Sequence, residues 1–327
     1  MNSKQISDPN TLVFVAVGAL WLQQIRQIEK QIEKLRKQDP LQNQSETIHD
    51  LRVAVRKSQS LALAFAPYIP GKWPERIRHE LRPLRKTCEV LRDLDVLVDW
   101  VVASGPQQTN LESLLADLQH QQAEATEEVL KALLDKQNLS MLKRLRSKLE
   151  LALDEAQDAN HSGVPLTQPQ YRLADVAIPA LLTRAADLTA WHATLLQGSG
   201  TAQPGQNSRA EALHQLRIAS KHFRYTLDFL TPAIPAINPA LSQAFAEIQT
   251  ILGDLHDRIQ FRARLLAWPD HRTLSPVFAN QLVARLEREQ DALSQRLAPL
   301  LDELTPDWFQ ANLLRPRQSP GPSLKLS

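Results

Sequence analysis

The 327-residue sequence reads as an all-α protein made of two related helical halves. Three observations lead there. Apolar residues recur at the 3.6-residue helical period over long stretches, and no segment alternates convincingly with period two. Turn chemistry separates these stretches at Asp39–Pro40, Pro67 to Pro74, Ser104–Gly105–Pro106, Gly198 to Gly205, Pro232 to Pro239 and Trp268–Pro269–Asp270. A short pattern beginning at His49 also recurs at His214, 165 residues later.

The first helix spans 11–37 and opens on Leu12 to Leu22, an uncharged run of eleven residues. A membrane span needs roughly 20. The leader holds only Lys4 against Asp8, and no small-residue cleavage site follows, so the run reads as the first helix of a cytoplasmic protein. Helices follow over 46–66, 75–103, 110–134 and 138–157. After the polar stretch Asn160 to Gln170 they resume over 171–197, 207–231, 238–267 and 275–304. Pro83 and Pro179 lie inside two of these windows and should kink them or mark their first turns. After Pro306 the chain turns Pro/Ser/Arg-rich and is expected to fray. The expected organisation is a half over 1–157, a linker over 158–170, a second half over 171–310 and a disordered tail over 311–327, with 1–310 acting as one unit.

Composition removes several function classes. The lone Cys88 cannot form an internal disulfide, which points to a reducing compartment. The nine glycines form neither G-x-G-x-x-G nor G-x-x-x-x-G-K-[ST], so dinucleotide and P-loop chemistry are excluded.

The repeat pairs His49-Asp-Leu-Arg-Val-Ala-Val-Arg-Lys with His214-Gln-Leu-Arg-Ile-Ala-Ser-Lys-His. A second match, Leu91-Arg92-Asp93 with Leu255-His256-Asp257, follows at offset 164. At 100° per residue, Leu51, Ala54, Val55, Ser58, Leu61, Ala62 and Phe65 share one face of the first copy. His49, Arg52 and Arg56 lie opposite, with Lys57 on their flank. In the second copy Leu216, Ala219, Ser220, Phe223, Leu227 and Leu230 form the apolar stripe, and His214, Arg217, Lys221 and Arg224 lie across from it. The next helix of the first half adds Arg78, Arg82, Arg85 and Arg92 along one face, with Lys86 beside them.

Residues 49–92 carry ten Lys and Arg against four acids, whereas 93–128 carry eight acids and no Lys or Arg. Charge rows on helices are ordinarily solvated and paired at i,i+4. The first cationic row has no acid on its own face, and the second has none until Asp228. A sparsely compensated row attracts anions, and guanidinium forks suit phosphate oxygens. A polyanion site is expected.

The ordered motifs H-x-L-R-V-A-x-R-K, L-R-D-L-D-V, H-x-L-R-I-A-x-K-x-x-R-Y and L-G-D-L-H-D give the sequence a resemblance to the CHAD family (conserved histidine α-helical domain), from the first helix to about residue 305. The resemblance implies two pseudo-symmetric four-helix bundles enclosing a central basic cleft. It implies binding of inorganic polyphosphate and association with polyphosphate granules, without catalysis, cofactor or metal. Carried over by position, the phosphate-facing residues are His49, Arg52, Arg56, Lys57, Arg82, Arg85 and Arg92 of the first half. Lys86 joins them from the charge row, and the second half supplies His214, Arg217, Lys221 and Arg224. One departure is Glu89, an acid where the second half has Gly253. Relatives fused to a triphosphate-hydrolysing CYTH domain carry E-x-E-x-K, which does not occur in this sequence.

Three other functions fit parts of the pattern. The doublet His256–Asp257, with His222 and Asp291, suggests a metal-dependent phosphohydrolase. However, Arg92 fills the repeat position of His256, which favours Asp93 and Asp257 as anchors for neighbouring cations. Backbone-only nucleic-acid binding suits a phosphate-reading row, but Phe65 and Phe223 fall on core stripes and only Tyr225 lies beside the cations. A scaffold would dock the basic row on the acidic stretch 93–128. Oligomeric state is not encoded in the pattern.

Overall fold

The computed structural model describes residues 8–37, 44–103, 109–162, 171–197, 209–267 and 276–314. Ten α-helices lie among the described residues: α1 (Val13–Lys37), α2 (Ser45–Phe65), α3 (Trp73–Ala103), α4 (Thr109–Leu134), α5 (Lys136–Ser162), α6 (Leu173–Gln197), α7 (Arg209–Leu230), α8 (Ala240–Leu266), α9 (Pro276–Asp302) and α10 (Pro306–Asn312). A 3₁₀ turn, Ala66–Tyr68, extends α2.

The helices form because each carries an apolar stripe with a place to be buried. In α1 the stripe is Trp21, Ile25, Ile28, Ile32 and Leu35, and all five are buried. Trp21 satisfies its buried indole by donating Nε1–H to the Ser58 carbonyl of α2 at 3.0 Å. Helix α1 lies against α2 and α5, α2 against α3, and α3 against α4. In the second half α6 lies against α7, α7 against α8, and α8 against α9.

The repeat is visible in the element bounds. Moved by 165 residues, α2 falls on α7, α3 on α8 and α4 on α9 to within three residues, and α1 falls on α6 to within five. The seven-residue α10 stands where the long α5 stands in the first half. The two repeated helices, α2 and α7, contact each other, so the seam between the halves runs between the cationic motifs. At the far end of that seam Phe65 meets Phe229 edge-on at 5.2 Å.

Apolar burial crosses the seam. One cluster takes in Leu51, Val55 and Phe65 together with Leu216, Phe223 and Leu227. A second joins Leu94, Leu97 and Trp100 of α3 to Leu114 and Leu118 of α4, Phe261 and Leu265 of α8, and Leu282 and Leu286 of α9. The halves share both clusters.

The structure corrects three boundaries. Residues 306–312 do not fray: they form α10, capped by Thr305, whose side chain accepts from Trp308 N at 3.1 Å. Phe309 is buried against Phe223 and Phe245. Residues 311–314 of the expected tail are thus part of the fold. Leu313 is buried, Leu314 bridges to Ile237, and 315–327 lie outside the described residues. Helix α5 runs into the expected linker as far as Ser162, and 163–170 are not described. Neither internal proline ends its helix. Pro83 and Pro179 sit within α3 and α6, and the carbonyl of each accepts a hydroxyl from the threonine four residues on.

Candidate functional site

Arg52 and Arg56 are one turn apart on α2, and Arg217 and Lys221 are their repeat partners on α7. Contact between α2 and α7 turns these two pairs toward each other across the seam. Arg92 of α3 joins them, and the five cations lie close enough to depress one another's proton affinity.

The helical wheel places Arg52 and Arg217 opposite the core, on a row open to solvent. The structure buries them instead, at 9% and 7% exposure. A wheel recognises one buried face, but α2 is covered by α1 and α3 on one side and by α7 on another. Burial leaves donors without acceptors: Nε and Nη1 of Arg52, Nε of Arg56 and Nε of Arg217 have no hydrogen-bond partner. Unmet donors on buried guanidiniums are costly, so the seam is poised for an anion.

The electrostatics agree. Burial, followed by repulsion from Arg56 and Arg92, lowers both Arg52 and Arg217 to about 10. Burial and then Arg217, Arg56, Arg92 and Arg52 push the Lys221 ammonium down to about 6. Lys221 makes no ion pair among the described residues, and both burial and its cationic neighbours disfavour its charged form.

Carboxylates fix the edges of this cluster. Arg92 gives a two-pronged pair to Asp257, both prongs at 2.6 Å, and a further bond to Asp93 at 3.1 Å. Burial works to lower Arg92, and Asp257 and Asp93 more than offset it. The acid-free row expected on the first copy is therefore corrected by tertiary contacts. Glu89 accepts from Arg85 and lies 3.9 Å from Arg56. In the second copy Arg224 donates to Gln249 at 3.0 Å and lies 3.5 Å from Asp228, so it is committed to the scaffold. Gln249 in turn donates to the Ser220 carbonyl.

One depression opens onto the cluster, and a second adjoins it at Arg85. The first, of about 550 Å³, is lined by Arg56, Arg85, Arg92, His214, Arg217 and His256, with Glu89, Asp93 and Glu211 on its wall. The other, of about 460 Å³, is lined by Arg78, His79, Arg82, Arg85 and His222. Of the expected site residues, Arg52, Lys221 and Arg224 line neither depression, nor do His49, Lys57 and Lys86, which are exposed.

Sequence reasoning weighed His256 and His222 only as metal ligands, and it missed Arg184. His256 faces His214 with ring centroids 5.0 Å apart, and burial with Arg217 and His214 lowers it to about 3. Its repeat equivalence to Arg92 was the available signal. His222 bonds Ser60 across the seam at 2.8 Å, and burial, Arg184 and Arg78 lower it to about 4. Arg184 of α6 brings a further cation near His222, with its buried Nε unpaired and its Nη1 3.0 Å from Asp187. A single arginine on an apolar helix carries no pattern that announces it.

No three His, Cys, Asp or Glu side chains gather as metal ligands among the described residues. No helix among them is long and apolar enough to cross a membrane.

The family model described as the CHAD domain matches residues 26–266. No curated protein matches the chain. Two solved structures share its all-α fold. The first, the CHAD domain from the plant Ricinus communis, is 20% identical with a TM-score of 0.62, and the match covers 91% of this chain and 94% of that one. The second, PptA from Streptomyces chartreusis, is 14% identical with a TM-score of 0.62, and the match covers 88% of this chain and 98% of that one.

Proposed function

The chain belongs to the CHAD domain family, and from that membership we propose that it binds inorganic polyphosphate along the seam between its halves and does not cleave it. The observation that carries the proposal is the set of buried, unpartnered guanidinium donors on Arg52, Arg56 and Arg217. A chain of phosphates supplies one anion after another at short spacing, which a seam of facing cations requires. Arg85, shared by the two depressions, lets one polymer pass from the His214–His256 end to the Arg78–Arg82 end. Granule association, which the family resemblance implies, and a cytoplasmic location, expected from the first helix and the lone Cys88, form part of the proposal.

Two features support a binder over the alternatives. Asp257 is held in a fork by Arg92 and His222 bonds Ser60, so two of the four groups that metal-assisted hydrolysis would recruit are engaged elsewhere. Phe65 and Phe223 are fully buried and present no stacking platform for bases. The test is a titration with long-chain polyphosphate, tripolyphosphate, single-stranded DNA and RNA at two salt concentrations, followed by an assay for released phosphate. Tight, salt-steep binding of the long chain with no release is expected. Equal affinity for every polymer, or metal-dependent release of phosphate, overturns the proposal.

A further inference from the structure

Glu89 and Gly253 occupy equivalent positions of the two halves, 164 residues apart, and only one of them carries a charge. On α8 a Cβ added to Gly253 would meet nothing within 4 Å. At the matching place on α3 stands a carboxylate, on the wall of the 550 Å³ depression. Glu89 accepts from Arg85, one turn earlier, and lies 3.9 Å from Arg56 of α2. Arg85 is the residue that both depressions share, so the protein's own anion sits where one passes into the other. The other two acids of that wall have different partners: Asp93 accepts from Arg92, and Glu211 from Gln215. With its side chain 37% exposed, Glu89 has a way out to water, and a pair so exposed is weak. Asp257 has no such exit, since it is buried with both oxygens held by Arg92.

We propose that Glu89 is a displaceable internal anion that narrows the preference for long chains: a phosphate chain filling both depressions must take its place at Arg85, whereas a short anion fits the larger depression with the Arg85–Glu89 pair intact. The inference rests on the polyphosphate reading. A short anion finds Arg92, Arg217 and His214 in the larger depression without touching Arg85. A longer chain has to cross Arg85, and there a phosphate oxygen would stand against the Glu89 carboxylate. Like charges at that distance repel, and the exposed pair is too weak to hold the carboxylate in place. The side chain swings out to water and the phosphate inherits its guanidinium. Arg85 thereby exchanges one anion for another, so the crossing adds little attraction. With a neutral residue at 89 the same crossing would add the whole of the Arg85 contact.

The experiment titrates the full chain and its Glu89→Gln variant with long-chain polyphosphate and with pyrophosphate. Salt is held at about 0.15 M, where charges out of contact are largely screened. The variant is expected to bind the long chain about fivefold more tightly. Its affinity for pyrophosphate should change by less than about twofold. In parallel, a carbodiimide and an amine label the carboxylates of the parent, read by peptide mass spectrometry against the exposed Glu155 of α5. Long-chain polyphosphate should raise the labelling of Glu89 relative to Glu155, and pyrophosphate should not. Equal tightening for both anions, or Glu89 labelling that the polymer leaves unchanged, overturns the proposal. If parent and variant bind the polymer equally, the role of Glu89 falls and polyphosphate binding stands. If neither binds it, both readings fall.

Discussion

Arg92 and Asp257 pair through two hydrogen bonds of 2.6 Å and tie the halves together across 165 residues of sequence. In this part of the repeat the offset is 164, so Asp257 is the counterpart of Asp93 and Arg92 that of His256, and the pair joins two neighbouring repeat positions. Asp257 is buried at 4% exposure, and its charge is met by Arg92.

Replacing Asp257 with Asn strands Arg92 beside a neutral amide. Removing one partner of a buried pair costs about 3 kcal/mol, less where water reaches the other partner as it does Arg92. Urea denaturation is expected to show a loss of about 2 kcal/mol for Asp257→Asn without polymer. Affinity for polyphosphate should hold or rise, because Arg92 is released toward the anion. A fall in affinity alongside unchanged stability counts against this account.

Exchanging Arg52 and Arg217 together for Glu should abolish polyphosphate binding with helicity retained. A milder pair, Arg52→Met and Arg217→Met, removes two buried charges with unmet donors. That variant is expected to match or exceed the parent in stability without ligand, by up to about 2 kcal/mol. The slope of log affinity against log salt should fall by about one for each phosphate that the variant no longer neutralises. Circular dichroism, denaturation and a salt series separate these effects.

The pH dependence of the unliganded protein follows from Lys221 and the seam histidines. Lys221 sits at about 6 when folded, and its free value is about 10.4. Between those values the unfolded chain binds more protons, so stability rises with pH across that window. His256 and His222, lowered to about 3 and about 4, act in the same sense at lower pH. Their contribution is complete above about 6.5 and is lost as pH falls toward the folded values. Lys221→Met should flatten the upper limb without altering the lower one. Polyphosphate should bind with uptake of about one proton near pH 8, read by calorimetry in buffers of different ionisation heat.

Phe309→Ala opens a cavity against Phe223 and Phe245 and should cost about 3 kcal/mol. Phe223 follows Lys221 by two residues on α7, so loosening it disturbs the second cationic pair. A variant that loses stability yet keeps full polyphosphate affinity would limit α10 to a purely structural part.

Much of the architecture was legible in the sequence. The 3.6-residue period located the nine long helices to within a few residues, because each has one buried face and a turn at each end. The cations at 52, 56, 217 and 221 emerged from the repeat. The burial of Arg52 and Arg217 did not, since a wheel drawn for one helix holds no information about a second helix arriving on its polar side. The α10 helix escaped because seven residues span two turns, and Pro306 reads as a breaker although it occupies the first turn after the Thr305 cap. Glu89 and Asp257 were visible as acids, but their partners on other helices depend on tertiary approach.

The unpartnered guanidiniums of the seam have a consequence for how long each molecule survives. A protein that is least stable when empty, and gains stability by mass action when filled, is cleared by quality control according to its occupancy. Copies without polymer should be degraded first, so its cellular amount should follow the supply of the anion even at a constant rate of synthesis. Starving cells of that polymer during a block of translation should shorten the half-life of the parent protein and leave that of the Arg52→Met, Arg217→Met variant unchanged.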